Sequence, residues 1–572
     1  MTPTLPKKYL ILCLFVLAAC KKASTPAQPV TTDTTATTTI TPQKDPVTAK
    51  SAGFFLDDWV AKTFATPAYI DTTKPSGTAT VTINIDYSNV ITKVSKYLFG
   101  NNTNPYMGQL VTEPILINDI KTLSPNVLRF PGGNISSVYF WNGQIPADAP
   151  ANLYDTNGNV VPASYWLGNN TASWTLSLDN YYSALQQTNS TGIITVNYGY
   201  ARYGTSTHPD QVAAHLAADW VRYDHGRTKY WEIGNESGGP WQAGYQIDLS
   251  QNKDGQPKII TGALYGTHFK VFADSMRNAA KQTGAQIEIG AQITNPVSYN
   301  SADLAWNSGL FASAGNYPDF FIVHDYYTGS DNETAAAVLA TPVTESQAIM
   351  TWVNKSEQQG GVDAKPIALT EWNIFASGSD QMVSNIAGMH ATMVLGELLK
   401  NSFGMASRWD LANGWNGGDD QGIFSLGDEP DNTTKWNPRP AFYHMYYFQK
   451  YFGDRMVSST VSGSTDVFSY ASSFSSGQAG VVLVNRGLSS QVVSVGIQNF
   501  AAGTRYYYYV LVGGTDNGEF SRKVYINGVG PSLASGGPSN YAQVYAKAAL
   551  IQGGIKVAMP PRSVIFLVAE GK

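Results

Sequence analysis

Two short stretches, WEIGNESGGPWQAG (231–244) and ALTEWN (368–373), each carry an apolar run that ends in a glutamate. Asn235 directly precedes Glu236, and a Gly-rich loop follows. Trp372 and Asn373 follow Glu371. A single loop carboxylate is usually a solvated charge. Two that meet in one cavity can split a glycosidic bond: one carboxylic acid protonates the leaving oxygen while the other carboxylate attacks or activates water. Other polar groups stand at similar places. Arg129 and Asn134 lie in LRFPGGN, and His324 and Tyr326 in VHDYY.

For those residues to meet, the chain must place several strand ends at one mouth. Short apolar runs predict strands at Tyr97–Gly100, Val127–Phe130, Gly192–Asn197, Lys229–Gly234, Gln286–Ala291, Asp319–His324, Pro366–Thr370 and Met405–Trp409. Amphipathic stretches between them predict helices, among them Gln211–His225, Ala263–Lys281, Thr344–Gln358 and Met382–Lys400. Near-continuously apolar strands alternating with helices suit a closed parallel barrel. An open doubly wound sheet is the alternative, but no Gly-rich phosphate turn follows the first strand. Barrel catalytic groups sit at the C-terminal ends of strands. Glu236 and Glu371 follow the fourth and seventh strands and therefore face each other across the mouth.

After about Asp454 the pattern becomes alternating runs such as VFSYASSF and AGVVLVNR, separated by Gly, Ser and Asn clusters. This predicts an antiparallel β-sandwich, which TVTINIDY (80–87) can join. The expected fold is α/β: a (β/α)8 TIM barrel over 88–453, and a C-terminal antiparallel β-sandwich from 78–87 plus 454–572. Residues 51–77 give no clear element.

The chain has 572 residues, 43% hydrophobic and 14% charged, with a net charge of −5. It has no basic stripe or tail, so nucleic acid is not an expected partner. Its 33 Tyr and 13 Trp fit either core packing or stacking on sugar faces. Residues 1–20 have Lys7 and Lys8, an apolar run too short to span a bilayer, and Leu17-Ala18-Ala19-Cys20. This resembles a bacterial lipoprotein signal, with Cys20 acylated. The implied location is the bacterial cell envelope, with membrane contact through the lipid only. A plain secretory signal is the alternative. Cys13 is the only other cysteine, which leaves no disulfide and no cysteine–histidine zinc site. Residues 21–50 are Thr/Pro/Ala-rich and read as a disordered tether.

The motifs WEIGNESGGPWQAG, LRFPGGNISSVYFWNG, VHDYYTG and ALTEWNIF resemble those of retaining glycoside hydrolases of clan A, most of all the α-L-arabinofuranosidases. The resemblance implies Glu236 as general acid/base and Glu371 as nucleophile. It implies Asn235 on the sugar 2-hydroxyl, Arg129 and Asn134 around the sugar, Tyr326 orienting the nucleophile, and His324 as lining. No metal and no organic cofactor are implied, and the partner is a carbohydrate. Two positions depart from the family. Asn104 stands where the family has a glutamate that grips the sugar, and Thr370 where an Asp usually precedes the nucleophile. Both touch the sugar-binding shell and leave the acid and the nucleophile in place.

Like-charge repulsion from Glu371 roughly 5 Å away is expected to raise the Glu236 pKa. Trp241 and Trp372 are expected near the mouth, with a place in the core as the alternative for each. The loop at 409–432, with Trp409, Trp415 and several carboxylates, reads as a sugar platform, a calcium-stabilised loop or a solvated loop. The functional expectation is a retaining glycosidase, first an exo-acting α-L-arabinofuranosidase. The alternatives are an endo-acting glycanase on xyloglucan, β-glucan or galactan, and a catalytically dead, glycan-binding lipoprotein.

Overall fold

The structure, a computed structural model, describes residues 40–294, 301–329 and 333–572. The signal, Cys20 and the first part of the tether lie outside the described residues. Eight parallel strands close a barrel. In chain order they are Gly100–Asn102, Val127–Phe130, Thr191–Val196, Tyr230–Ile233, Glu288–Gln292, Phe320–Asp325, Ile367–Trp372 and Met405–Arg408, each followed by a helix. The first strand lies past its expected position, because Lys96–Leu98 forms a 3-10 turn instead.

Period-two alternation explains where the site forms. Val127, Ile193, Tyr230, Ile322 and Ala368 point inward and make an apolar floor. Two residues further along the same strands come Arg129, Thr195, Glu232, His324 and Thr370, which form the polar layer above. The floor is closed from below by the 3-10 turn Gly53–Leu56, part of the segment that showed no clear element in sequence. Its Phe55 ring lies 5.2 Å from Tyr230 and 5.6 Å from Phe320. Ile367 N donates to Ser51 O at 2.7 Å, which ties this turn to the seventh strand.

The last part of the chain forms a mixed 11-stranded sheet. Most neighbours are antiparallel, as expected, but two pairs are parallel: Val81–Lys93 with Gln491–Gln498, and Tyr69–Asp71 with Ala546–Leu550. Val81–Lys93 is inserted into the sheet, antiparallel to Arg455–Ser462 on its other side. It runs past residue 87, the boundary expected from its alternation. One sheet face encloses its own core of Val, Ile and Leu. The other face presents Tyr507, Tyr509, Phe566 and Val568 to the core that also holds Tyr447 and Phe448 of helix Pro440–Tyr451.

Residues 40–50 depart from the expected disordered tether. Asp45 pairs with Arg455 at 2.5 Å and with Lys93 at 3.3 Å, and Gln43 donates to Tyr87 O at 2.6 Å. These are charge and amide contacts that low hydrophobicity did not reveal. Among the described residues, no helix is long and apolar enough to cross a membrane.

Candidate active site

Arg129 organises the mouth. It is fully buried on the second strand, and its fork reaches four partners. Nε donates to Glu232 at 2.7 Å, Nη1 to Asn102 at 3.0 Å and to Glu371 at 3.1 Å, and Nη2 to Asn235 at 2.8 Å. Glu232 also accepts from Thr195 at 2.7 Å. A buried guanidinium needs such compensation, and two carboxylates supply it. The motif glycines that follow make room. Gly132 and Gly133 have φ of 64° and 58°, and a Cβ on Gly133 would sit 2.5 Å from the Trp409 ring.

Glu236 lies three residues beyond the fourth strand. Its φ of 42° is in the left-handed region, and the preceding Gly234 has φ 79°. Gln292 from the fifth strand holds this turn, accepting from Ser237 N at 3.0 Å and donating to Gly234 O at 2.8 Å. A non-glycine residue at positive φ is strained and is held by its surroundings.

Glu371 reaches the same space by a different device. Thr370, two residues past the inward Ala368, bonds His324 Nε2 at 3.1 Å and so faces the barrel interior. The register shifts against both neighbouring strands here, and the irregularity lets the next residue, Glu371, also face the cavity. Tyr326 donates to Glu371 Oε1 at 2.5 Å. One oxygen of Glu236, one of Glu371 and a ring nitrogen of His324 lie within 4.8 Å of one another. The two glutamates therefore meet in one space, as expected.

His324 Nδ1 is 3.0 Å from Glu236 Oε1, and Trp241 Nε1 donates to Glu236 Oε2 at 2.6 Å. Burial pushes the Glu236 carboxyl up, but the bond and charge of His324, with Trp241 and Arg129, outweigh it and hold it below its ordinary value. This reverses the expected upward shift, because the sequence did not show that an imidazole would sit on the acid. Glu371 is raised instead, by burial and by the charge of Glu236, against the pull of His324, Arg129 and Tyr326. The same three groups, Glu236, His324 and Glu371, are spaced to hold a metal ion. The Arg129 guanidinium already supplies positive charge against Glu371.

The other expected residues divide. Asn235 is buried; its Oδ1 takes Arg129, and its Nδ2 has no protein partner. A donor so placed can serve a ligand hydroxyl. Trp241 is 48% exposed beside the acid. Asn134 is exposed and accepts from Gln242 at 2.7 Å. Asn104 is buried and donates to Asp410, a carboxyl that burial and neighbouring Asp420 push well up.

Trp372 is a correction. It is 1% exposed and packs against Tyr327 in the core. Because Glu371 faces the cavity, the next side chain turns outward, away from the mouth. In the 409–432 loop, Asp420 and Glu429 are ion-paired to Arg439 at 2.6 and 2.9 Å, and Arg522 pairs with Glu429 and Asp431. Arginines, not solvent, meet these carboxylates.

A family model described as "Alpha-L-arabinofuranosidase 1 domain" matches residues 119–335, which include Arg129, Glu236, His324 and Tyr326. The chain resembles the α-L-arabinofuranosidases. An intracellular exo-α-(1→5)-L-arabinofuranosidase of Acetivibrio thermocellus is 24% identical over 287 residues, 45% of this chain and 50% of that protein. One of the same description from Bifidobacterium longum is 24% identical over 278 residues, 45% of this chain and 44% of that one. The chain thus spans about half the length of the curated relatives it matches. Among solved structures, the arabinofuranosidase from Thermotoga maritima in complex with arabinose superposes with a TM-score of 0.59 at 17% identity, over 85% of this chain and 99% of that one. A family 44 xyloglucanase of Paenibacillus polymyxa gives a TM-score of 0.53 at 13% identity, over 86% and 99%. At these identities the arabinofuranosidase-like likeness to solved structures is one of fold: a TIM barrel with a β-rich C-terminal part.

Proposed function

We propose that the protein is a retaining glycoside hydrolase, first an α-L-arabinofuranosidase acting on plant or algal polysaccharide or oligosaccharide. The observation that carries the reading is the approach of Glu236 and Glu371 to within 4.8 Å in one cavity. Retaining enzymes keep their carboxyls about 5–5.5 Å apart, and inverting ones leave a wider gap for water.

Glu371, held by Tyr326 and Arg129, attacks the anomeric carbon. Glu236 gives its proton to the leaving oxygen, and later takes one from the water that releases the sugar. Asn235 Nδ2 donates to the 2-hydroxyl, a bond that tightens as positive charge develops on the ring. Glu371 is raised and Glu236 lowered, so the proton shared by the pair must pass from Glu371 to Glu236 before the attack. A leaving-group oxygen that takes over the contact of Glu236 with His324 removes the main force holding its carboxyl down. No step needs a metal or an organic cofactor.

The test is hydrolysis of a panel of 4-nitrophenyl glycosides and of polysaccharides by wild type and Glu371→Ala. Release from the α-L-arabinofuranoside, lost in the variant, supports the reading. Activity on xyloglucan, β-glucan or galactan alone selects an endo-acting glycanase. Polysaccharide binding without any hydrolysis selects a dead binding protein. We also propose attachment to the cell envelope through acylated Cys20, which rests on the sequence of residues 1–20; a Cys20→Ser chain that stays in the membrane fraction overturns it.

A further inference from the structure

Three aromatic rings lead away from the catalytic pocket. Tyr106 lies in the loop after the first strand, two residues beyond buried Asn104, and burial, with the charges of Asp410 and Glu371, pushes its hydroxyl pKa up. Its ring centroid is 6.5 Å from that of Trp166, and Trp166 is 5.7 Å from Trp174. Exposure rises outward: Tyr106 and Trp166 are half-buried, and Trp174 is 56% exposed. Each contact is edge-to-face, which fixes each ring against the next.

The backbone beneath is rigidly tied. Leu176 N donates to Pro105 O at 2.7 Å, and Gln109 Nε2 to Ala172 O at 3.2 Å. Thr175 Oγ1 donates to Asn170 O at 2.9 Å. The outermost tryptophan is therefore held out by its own loop. A lone exposed tryptophan needs no explanation. A fixed one at the end of a ring series that starts in the loop at the barrel mouth, two residues from Asn104, does.

Exposed Asn169, Thr171 and Ser173 lie close to Trp174 along the chain and bring amide and hydroxyl groups to the same loop. An aromatic face with polar neighbours suits a sugar ring, whose C–H face is apolar and whose rim is hydroxylated. A protein-binding patch would be larger and more continuously apolar. We propose that Tyr106, Trp166 and Trp174 form a track that binds a glycan chain extending from the cleaved residue, so that polysaccharide is preferred over short glycosides. The proposal rests on the glycosidase reading for its link to catalysis.

The experiment compares wild type and Trp174→Ala in native gels containing wheat arabinoxylan. Both proteins are also assayed on that polymer and on 4-nitrophenyl α-L-arabinofuranoside. The expected result is reduced retardation of the variant, with the ratio of kcat/KM on polymer to that on the aryl glycoside falling about three- to tenfold. Equal retardation of the two proteins overturns the track. If wild type cleaves neither substrate, the glycosidase reading falls, and the gel alone still decides the track.

Discussion

His324 brings one ring nitrogen within 3.0 Å of Glu236 and 3.7 Å of Glu371. A single imidazole therefore faces both members of the carboxyl pair, and it lowers the pKa of each.

Replacing it with His324→Ala removes that pull. Both carboxyls then titrate at higher pH. The two limbs of the kcat/KM profile report the two titration steps that the carboxyl pair shares in the free enzyme. Both limbs are expected to move upward. A pH–rate profile on an aryl glycoside checks this, and unmoved limbs would refute the role.

Arg129→Lys keeps a charge but loses the fork. Lysine cannot serve Glu232, Asn102, Glu371 and Asn235 together, so buried acceptors are left without donors. The expected cost is about 3–5 kcal/mol of stability and about a 10²–10³-fold loss of kcat. Thermal melts and steady-state kinetics on the same preparation measure both. A variant with wild-type kcat would show that Arg129 only supports the fold.

Phe55→Ala opens a hole in the barrel floor. Loss of a buried ring costs about 3–5 kcal/mol, so the melting temperature is expected to drop by several degrees. The floor lies one side-chain layer below Arg129, so KM at 25 °C should stay close to wild type. An unchanged melt would mean that the 3-10 turn does not plug the barrel in solution.

Glu357, buried on helix Thr341–Gly360, has its carboxyl pushed up to about 7 by burial. The unfolded chain titrates it near its ordinary 4.5. Between those values the folded protein holds a proton that the unfolded chain has lost, so this group makes stability fall as pH rises from about 4.5 to 7. The amide of Glu357→Gln carries no such dependence. Relative to wild type, the variant should gain about 1–3 °C in melting temperature between about pH 5 and pH 8.5. A constant difference across that range would contradict it.

The glutamate pair was readable because each carboxyl ends an apolar run in a barrel-like series, so sequence order alone assigned both to one mouth. Arg129 and Tyr326 were readable through their motifs. Glu232, Asn102 and Gln292, which hold the site residues in place, were not. Their partners sit on other strands, and no spacing along the chain marks such pairs. Trp372 was misplaced because a register irregularity of one residue decides which side chain faces the cavity, and composition is blind to that. The Phe54-Phe55 plug escaped because a single 3-10 turn has no periodicity to detect.

Val81–Lys93 sits between strands that begin at Arg455 and Gln491. The whole barrel lies between it and these flanking partners in the chain. The seam therefore closes only after the whole intervening barrel has been synthesised, a pairing of high sequence separation that forms slowly. Until then that strand has two open edges, each a row of unpaired backbone groups that a neighbouring chain could join.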